Sequence, residues 1–271
     1  MAGFFGLFNY EKEGPGIDKN APKKKTFIVF FETFFRNIWK FITINFVYCL
    51  MCIPVLTKGF ADAGFTHVAR NTARDKHSFG LSDFFETIKK NWLQALIINI
   101  INVLVTAVNI FALISYWNAE QGLVQTIGLG ISILVAFIFT VMKFYIWTLT
   151  ISFKLTVKQI YANSFKLAIA NLKMNFLCIF AHLLVYVIYF LVIYYLGRFA
   201  MVMAFAFMLI VCTLPGFSFL LIQYCTFPAI KKYMIDPYYK EHPDADIELR
   251  RNLGLEVPED DIDEEDEEID E

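Results

Sequence analysis

The sequence predicts an all-α protein, a polytopic bundle of helices embedded in a membrane. Of its 271 residues, 57% are hydrophobic and only 18% are charged, and the mean hydropathy is +0.51. A soluble domain carries about 25% charged residues, so this chain lacks the charge that a water-exposed surface requires. Long apolar runs occupy most of the chain. The predicted core is therefore a set of helices packed within lipid.

Five apolar segments are predicted to enter the membrane. A helix needs about 20 residues to cross a hydrocarbon core about 30 Å thick, and each full span supplies that length. The five segments cover residues 41–56, 93–115, 122–142, 176–195 and 199–224. Tyr116 and Trp117 close the second of them, as aromatic residues do at a membrane interface.

The positions of lysine and arginine predict the orientation. Residues 143–175 contain five lysines and no acid, which is typical of a cytoplasmic loop. The 116–121 connection contains no base and the 196–198 turn contains only Arg198, so both are predicted on the outside. By parity, residues 57–92 and the chain after Lys232 lie inside. The C-terminus is therefore predicted to be cytoplasmic.

A repeated motif organises the chain into three units. The letters FFET occur at residues 30–33 and again at 84–87, and each copy leads through basic residues and a Trp into an apolar segment. A weaker third copy, residues 164–173, precedes the fourth segment. Each copy is amphipathic, and Phe84, Phe85, Ile88 and Trp92 are predicted to share one face. Such helices lie in the cytoplasmic interface.

The repeat predicts three hairpin-like units, each entering from the cytoplasm. They cover residues 26–80, 81–155 and 156–230, between a cytoplasmic N-terminal segment (1–25) and a cytoplasmic C-terminal segment (231–271). The first unit must then return through residues 57–74, which are too polar to face lipid. This return segment is either re-entrant or buried against other helices, with Gly59 and Gly64 allowing close packing. The alternative is five simple spans with the N-terminus outside, which conflicts with the lysines at 23–25; we favour the hairpins.

One polar face runs along the second span. Asn99, Asn102, Thr106 and Asn109 follow i, i+3, i+7, i+10 spacing, and asparagine amides need partners in hydrocarbon. The face could line a path for a hydroxylated solute, or it could hold helices together through hydrogen bonds. Because it contains no charge, we favour helix packing.

Two further sets of residues are candidates for an intramembrane site. His182 and Tyr186 lie on one side of the fourth span, where no acidic residue is present to relay protons. Asp62, His67 and Arg70 lie in the return segment. Ionisable residues at membrane depth indicate a function, whereas the same residues at the interface form a solvated face, and the sequence does not separate these interpretations.

The ends and the cysteines indicate no further chemistry. Residues 256–271 contain 12 acids and no base, so the preceding chain holds all 24 bases and the other 14 acids, a net charge of +10. The acidic tail buries nothing and is predicted to be disordered. All five cysteines lie in apolar stretches. No catalytic, phosphate-binding, metal-binding or nucleic-acid-binding motif is present, so we expect no enzyme, no cofactor and no nucleic-acid partner.

Several short motifs resemble one family, the YesL-like bacterial membrane proteins, which contain domain of unknown function 624. The stretches that carry the resemblance are residues 6–10, 13–16, 23–25, 52–55, 70–71, 82–85 and 90–92. Residues 58–62 depart from the Gly-Pro-Ala that the family tends to show there. The resemblance implies a multi-pass protein of the bacterial cell membrane, encoded beside carbohydrate ABC importers and glycan-degrading enzymes. It implies no catalytic residues.

Three functions fit these observations. The first is an accessory subunit that supports carbohydrate uptake by binding the permease of an ABC-type importer. The second is a small carrier or channel that uses the asparagine face. The third is a scaffold that organises lipid through Phe84, Phe85 and Trp92. The expected partners are the lipid bilayer and permease subunits, and the sequence leaves the oligomeric state open.

Overall fold

The computed structural model describes residues 26–76, 78–196 and 200–242, and within these ranges the chain forms helices and no strand. The predictions for the 1–25 segment and for the acidic tail fall outside them. The helices are α1 (Thr26–Arg36), α2 (Ile38–Cys52), α3 (Lys58–Ala73), α4 (Leu81–Trp117), α5 (Leu123–Ser152), α6 (Val157–Ala170), α7 (Leu172–Leu196), α8 (Ala200–Ile230) and α9 (Asp236–Glu241). A π-helical turn, Lys231–Ile235, joins α8 to α9.

Four helices of the described chain are long and apolar enough to cross a membrane, which supports the prediction of a membrane protein. They are Leu81–Trp117, Leu123–Ser152, Leu172–Tyr195 and Cys212–Glu241. The fifth predicted segment, residues 41–56, is different because its apolar helix α2 has only 15 residues. At 1.5 Å per residue α2 is about 22 Å long, short of a hydrocarbon core about 30 Å thick. The structure therefore does not confirm a fifth span.

The three amphipathic copies bury matching positions. Residues three apart lie on one side of a helix, and in each copy such a pair faces the bundle. The buried pairs are Phe30 and Thr33 in α1, Phe84 and Thr87 in α4, and Ser164 and Leu167 in α6. The predicted aromatic face of the second copy is only partly buried in the protein. Phe84 is buried while Phe85 and Trp92 are exposed, because consecutive helical residues point about 100° apart.

Each copy ends at an asparagine, and the three copies then differ. α1 ends before Asn37 and α6 ends before Asn171, and in both units a new helix begins one residue later. In the second unit α4 continues through Asn91 as one helix of 37 residues. The side chains of Asn37 and Asn91 donate hydrogen bonds to the carbonyls of Thr33 and Thr87, at 2.9 and 3.0 Å.

The returning helices form the centre of the bundle. α3, α5 and α8 contact one another, and the entry helices pack around them in a cyclic order. The first entry helices, α1 and α2, pack on α8, while α4 packs on α3 and α6 packs on α5. Each unit therefore places its amphipathic helix, α1, α4 or α6, against the returning helix of the unit before it.

Aromatic stacking holds α3 in this centre. The Phe65 ring stacks on Phe219 of α8 with centroids 4.6 Å apart, and on Phe41 of α2 at 6.3 Å. Phe65 and Phe41 are both fully buried or almost so. Burying a phenylalanine side chain stabilises a fold by about 1.5–3 kcal/mol in water, although lipid reduces that difference for a membrane helix. Close packing of these rings is one source of the attraction between α2, α3 and α8.

Candidate functional site

The return segment forms helix α3, and this helix is buried. Ten of its 16 residues are inaccessible, including the small residues that face α4. A Cβ atom at Gly64 would lie 2.8 Å from Cδ2 of Phe84 and 2.9 Å from the Phe84 carbonyl oxygen, and one at Gly59 would lie 2.8 Å from the Ala95 carbonyl oxygen. Residues 58–73 therefore pack against other helices through Gly59 and Gly64, as one of the two alternatives for this segment requires, and this burial is compatible with a re-entrant path.

Asp62 lies at the start of α3 with its carboxylate paired inside the bundle. The Asp62 side chain is only 6% exposed. One oxygen accepts a hydrogen bond from the Tyr48 hydroxyl at 2.8 Å, and the other forms an ion pair with Lys58, whose side chain is 47% exposed. The arrangement lowers the cost of burying a carboxylate by giving both oxygens a donor. Its effect is to fasten α2 to α3.

Arg70 lies two turns further along α3 and reaches a different helix. Its guanidinium donates to Oγ of Ser152 at 2.7 Å and to the carbonyl of Ile151 at 3.5 Å. These residues end α5, where unpaired carbonyls carry partial negative charge, so a guanidinium there is favourable. The Nε atom of Arg70 is buried and has no partner among the described residues.

Arg74, just after α3, makes the corresponding contact with α8. Its guanidinium carbon lies 4.2 Å from the centroid of the Phe227 ring, within the range of a cation–π interaction. Burial lowers the pKa of Arg74 from its ordinary value, yet a guanidinium remains charged at neutral pH. Arg70 and Arg74 thus tie the end of α3 to the ends of the other two central helices.

His67 contacts a third region. Its Nε2 atom lies 3.0 Å from Nδ2 of Asn71, and the ring borders a cavity of about 200 Å³. The other residues that line the cavity are Asp83, Glu86, Thr87, Lys90 and Asn91 of α4 and Ile151 of α5. Asp62, His67 and Arg70 therefore point to α2, α4 and α5 respectively. The structure does not bring these three predicted residues into one site.

Asn99 stabilises the turn between α2 and α3. Its Nδ2 atom donates to the carbonyl oxygens of Val55 and Leu56 at 2.9 and 3.2 Å. The side chains of this turn are apolar and exposed, which suits contact with lipid, but the turn carbonyls have no helical partner. A carbonyl without a donor is costly in hydrocarbon, so the buried Asn99 supplies what the turn lacks.

The other residues of the asparagine face also bind protein groups. Asn102 accepts a hydrogen bond from the Tyr161 hydroxyl of α6 at 2.8 Å. Thr106 accepts one from Nζ of Lys143 at 3.0 Å, and Asn109 donates to the Ser132 carbonyl at 3.1 Å, both in α5. The four side chains thus connect α4 to the α2–α3 turn, to α5 and to α6. This geometry favours the interpretation of the face as helix packing.

His182 and Tyr186 lie away from that face. The Nδ1 atom of His182 is 2.8 Å from the Cys178 carbonyl one turn earlier, and its ring stacks on Phe144 with centroids 5.8 Å apart. The Tyr186 ring is 6.4 Å from that of His182, and the residue is 51% exposed. Tyr186 therefore lies on the outer surface of α7, and the two residues do not extend the asparagine face.

Sequence reasoning missed a buried polar network between α5 and α7. The Tyr145 hydroxyl donates to Oδ1 of Asn175 at 2.7 Å and accepts from Nδ2 of Asn171 at 3.0 Å. Asn175 also donates to the Ala168 carbonyl at 2.9 Å. One signal was available, because Asn171 stands in the third copy where Asn37 and Asn91 stand in the others. Its partners were not readable, because Tyr145 is far away in the sequence.

The polar contacts described above join helices to one another. No group of three or more His, Cys, Asp or Glu side chains in the described ranges could hold a metal ion. Asn99, Asn102 and Asn175 bind other side chains or backbone carbonyls within the bundle. Such bonds are worth about 0.6 kcal/mol each on average in a membrane protein, so each one adds modestly to the stability of the packing.

These features define the class of protein as a helical membrane protein whose central helix is a polar return segment. The model of one family, described as "Protein of unknown function, DUF624", matches residues 41–113 of the chain. The match supports the resemblance to this family for the motifs at residues 52–55, 70–71, 82–85 and 90–92, over most of α2, all of α3 and most of α4. The motifs at residues 6–10, 13–16 and 23–25 lie outside the match. The match covers the Asp62 pair and the Asn99 bonds, and it contains Arg70 but not the α5 residues that Arg70 contacts. No curated protein and no solved structure matches the chain.

Proposed function

We propose that this chain is an accessory subunit of the bacterial cell membrane that binds another integral membrane protein, the permease of an ABC-type carbohydrate importer. The class of partner comes from the family resemblance, which implies gene neighbourhoods of that kind. The binding role is supported by the asparagine face, whose side chains bind groups of this chain and so leave less support for a solute path. Because Asn99, Asn102 and Asn109 already bind protein groups, a solute path along them has less support.

The position of Tyr186 carries the proposal. This residue lies near the middle of α7 (Leu172–Leu196), on its outer surface, and its hydroxyl has no hydrogen-bond partner among the described residues. A hydroxyl that faces acyl chains at that depth loses its hydrogen bonds to water. A polar group on a neighbouring transmembrane helix would restore one. Tyr186 therefore marks the surface of α7 at which a partner helix would pack.

In this proposal, α2 and α3 form a re-entrant hairpin and both chain ends lie in the cytoplasm. The two helices have 15 and 16 residues, about 22 and 24 Å, so each stops short of the far side of a core about 30 Å thick. Their turn exposes Ile53, Val55 and Leu56, which suit lipid. The lysines of residues 143–175 and the positive-inside rule support the assignment of sides.

The test is affinity purification of the full chain from native membranes in mild detergent, with mass spectrometry of the proteins that co-purify. We expect a stoichiometric permease, and we expect Tyr186→Phe to reduce its yield about threefold, because one hydrogen bond across a membrane interface is worth about 0.6 kcal/mol. Tyr189→Phe is the matched control. The Tyr189 hydroxyl lies 2.6 Å from Oγ1 of Thr213 within this chain, so its loss should leave the partner bound.

Two results would count against the proposal. A preparation that contains this chain alone, with no other membrane protein, would contradict the proposal that it binds a partner. Equal yields of permease from the wild type and the Tyr186→Phe variant would remove the role of this surface of α7.

A further inference from the structure

Helix α6, the third amphipathic copy, differs from the other two in its charge. Glu32 and Glu86 follow the second Phe of their copies, and Lys166 stands at the matching position of α6. Glu86 forms an ion pair with Lys90 at 2.7 Å, so the second copy balances part of its own charge. From residue 143 to residue 175 there is no acid at all. α6 is therefore the one purely basic copy of the motif.

The basic residues of α6 share a surface with apolar ones. Lys158, Phe165, Lys166 and Ile169 are exposed and follow i, i+7, i+8, i+11 spacing, which places them on one side of the helix. The opposite side is buried against the bundle through Ile160, Ser164, Leu167 and Ala168. We call the exposed set, together with the exposed Lys173 in the first turn of α7, the α6 face.

The α6 face lies where membrane helices end. The helix is joined to α5 by residues 153–156 and to α7 at Asn171, so it lies between the ends of two candidate spans. It is held there by the Tyr161 bond to Asn102 and by a capping box in which Thr156 and Gln159 satisfy each other's backbone groups. A helix fixed at this level presents its exposed side to the boundary between lipid headgroups and acyl chains.

The lysines of this face have no partner within the described chain. Lys158, Lys166 and Lys173 are exposed, and none forms an ion pair with any residue in the described ranges. Lysine stems can lie along apolar surface while the ammonium reaches outward. Phe165 and Ile169 between them would then contact acyl chains. This combination complements a lipid that carries a negative headgroup.

We propose that the α6 face is a binding site for anionic lipid, in which Lys158, Lys166 and Lys173 contact the headgroup phosphates while Phe165 and Ile169 insert among the acyl chains. The second copy of the motif, with Glu86 in place of Lys166, does not share this selectivity. The site does not depend on a protein partner, so it stands or falls separately from the accessory role.

The experiment is a lipid titration of the purified full chain in detergent, followed by native mass spectrometry, with phosphatidylglycerol and phosphatidylcholine as the two probes. The test variant is Lys158→Gln/Lys166→Gln/Lys173→Gln. Each lysine near an anionic surface changes the affinity about fivefold, so we expect the triple variant to bind phosphatidylglycerol at least tenfold more weakly. Binding of phosphatidylcholine should change little.

Two controls make the outcome decisive. Lys89→Gln/Lys90→Gln removes two exposed lysines from the second copy and should keep the preference for phosphatidylglycerol. Replacing the three α6 lysines with arginine keeps the charge and should keep the preference too, which separates charge from a folding defect. The proposal is overturned if the wild type does not prefer phosphatidylglycerol. It is equally overturned if the glutamine variant of α6 keeps the preference, or if the α4 control loses as much of it.

Discussion

The returning helices of the first and second units, α3 and α5, differ in length, in polarity and in how much of each helix is buried. α3 has 16 residues, of which ten are buried. It carries four ionisable residues, Lys58, Asp62, His67 and Arg70. α5 has 30 residues, carries Lys143 as its one charged residue, and buries eight. The more polar helix is the more completely enclosed. In lipid this order is favourable, because charges and amides need protein partners whereas apolar side chains do not.

The difference teaches how a polar helix is accommodated inside a membrane bundle. α3 is surrounded by α2, α4, α5 and α8, and glycines bring its backbone close to α4. Its charged groups then reach donors or acceptors on those neighbours, as Asp62 reaches Tyr48 and Arg70 reaches Ser152. The exposed leucines and isoleucines in the first half of α5 need no such partners, because apolar side chains are compatible with the surrounding lipid.

The largest expected effect comes from filling the close contact at Gly64. A methyl group in Gly64→Ala would meet the Phe84 carbonyl oxygen at 2.9 Å, and backbone cannot move as a flexible side chain does. We expect a loss of about 3 kcal/mol in the free energy of unfolding, at the upper end for overpacking. The measurement is the midpoint of unfolding by sodium dodecyl sulfate in mixed micelles.

Gly130→Ala in α5 is the matched control for that change. A Cβ there has no atom within 4 Å, and alanine is a better helix former than glycine by about 1 kcal/mol, so stability should hold or rise slightly. Equal effects of the two substitutions would show that the contact between α3 and α4 is looser than the structure has it.

A smaller loss is expected when the buried carboxylate is removed. Asp62→Leu leaves the Tyr48 hydroxyl and the Lys58 ammonium without their acceptor. We expect a loss of about 2 kcal/mol, below the 3–5 kcal/mol seen for fully buried pairs because Lys58 is half exposed. Asp62→Asn keeps an oxygen for Tyr48 and should lose less. If leucine at this position raised the unfolding midpoint, α3 would face lipid as an ordinary apolar span does.

The smallest of the three effects concerns the turn between α2 and α3. Asn99→Ala removes the donor to the carbonyls of Val55 and Leu56, and we expect a loss of about 1 kcal/mol. Asn118→Ala, at the exposed end of the same helix α4, removes only a bond to the carbonyl of Ile114. The Asn118→Ala control should change the unfolding midpoint by less than the experimental error of the measurement. A larger effect at Asn118 than at Asn99 would contradict the role of Asn99 in the turn.

Sequence reasoning reached the asparagine face but not its partners. The i, i+3, i+7, i+10 spacing placed Asn99, Asn102 and Asn109 on one side of α4, and the structure has all three bonded to protein groups. The spacing did not reveal that Asn99 serves a turn 43 or 44 residues earlier, because helical periodicity reports which side a residue occupies and not what lies opposite. The same limit applies to Asp62, His67 and Arg70, which lie within nine residues of one another in the sequence but face three different helices.

The sequence by itself determined the helical class, the membrane environment, the repeat of the amphipathic motif and the need for small residues at Gly59 and Gly64. Composition, period and local spacing are properties of the chain alone, so these features could be read directly. Only the tertiary structure decided that α3 is enclosed at the centre, that α2 stops short of a span, and which partner each polar group has. Those outcomes depend on contacts between residues far apart in the chain, and a buried polar group is stable only when such a contact forms.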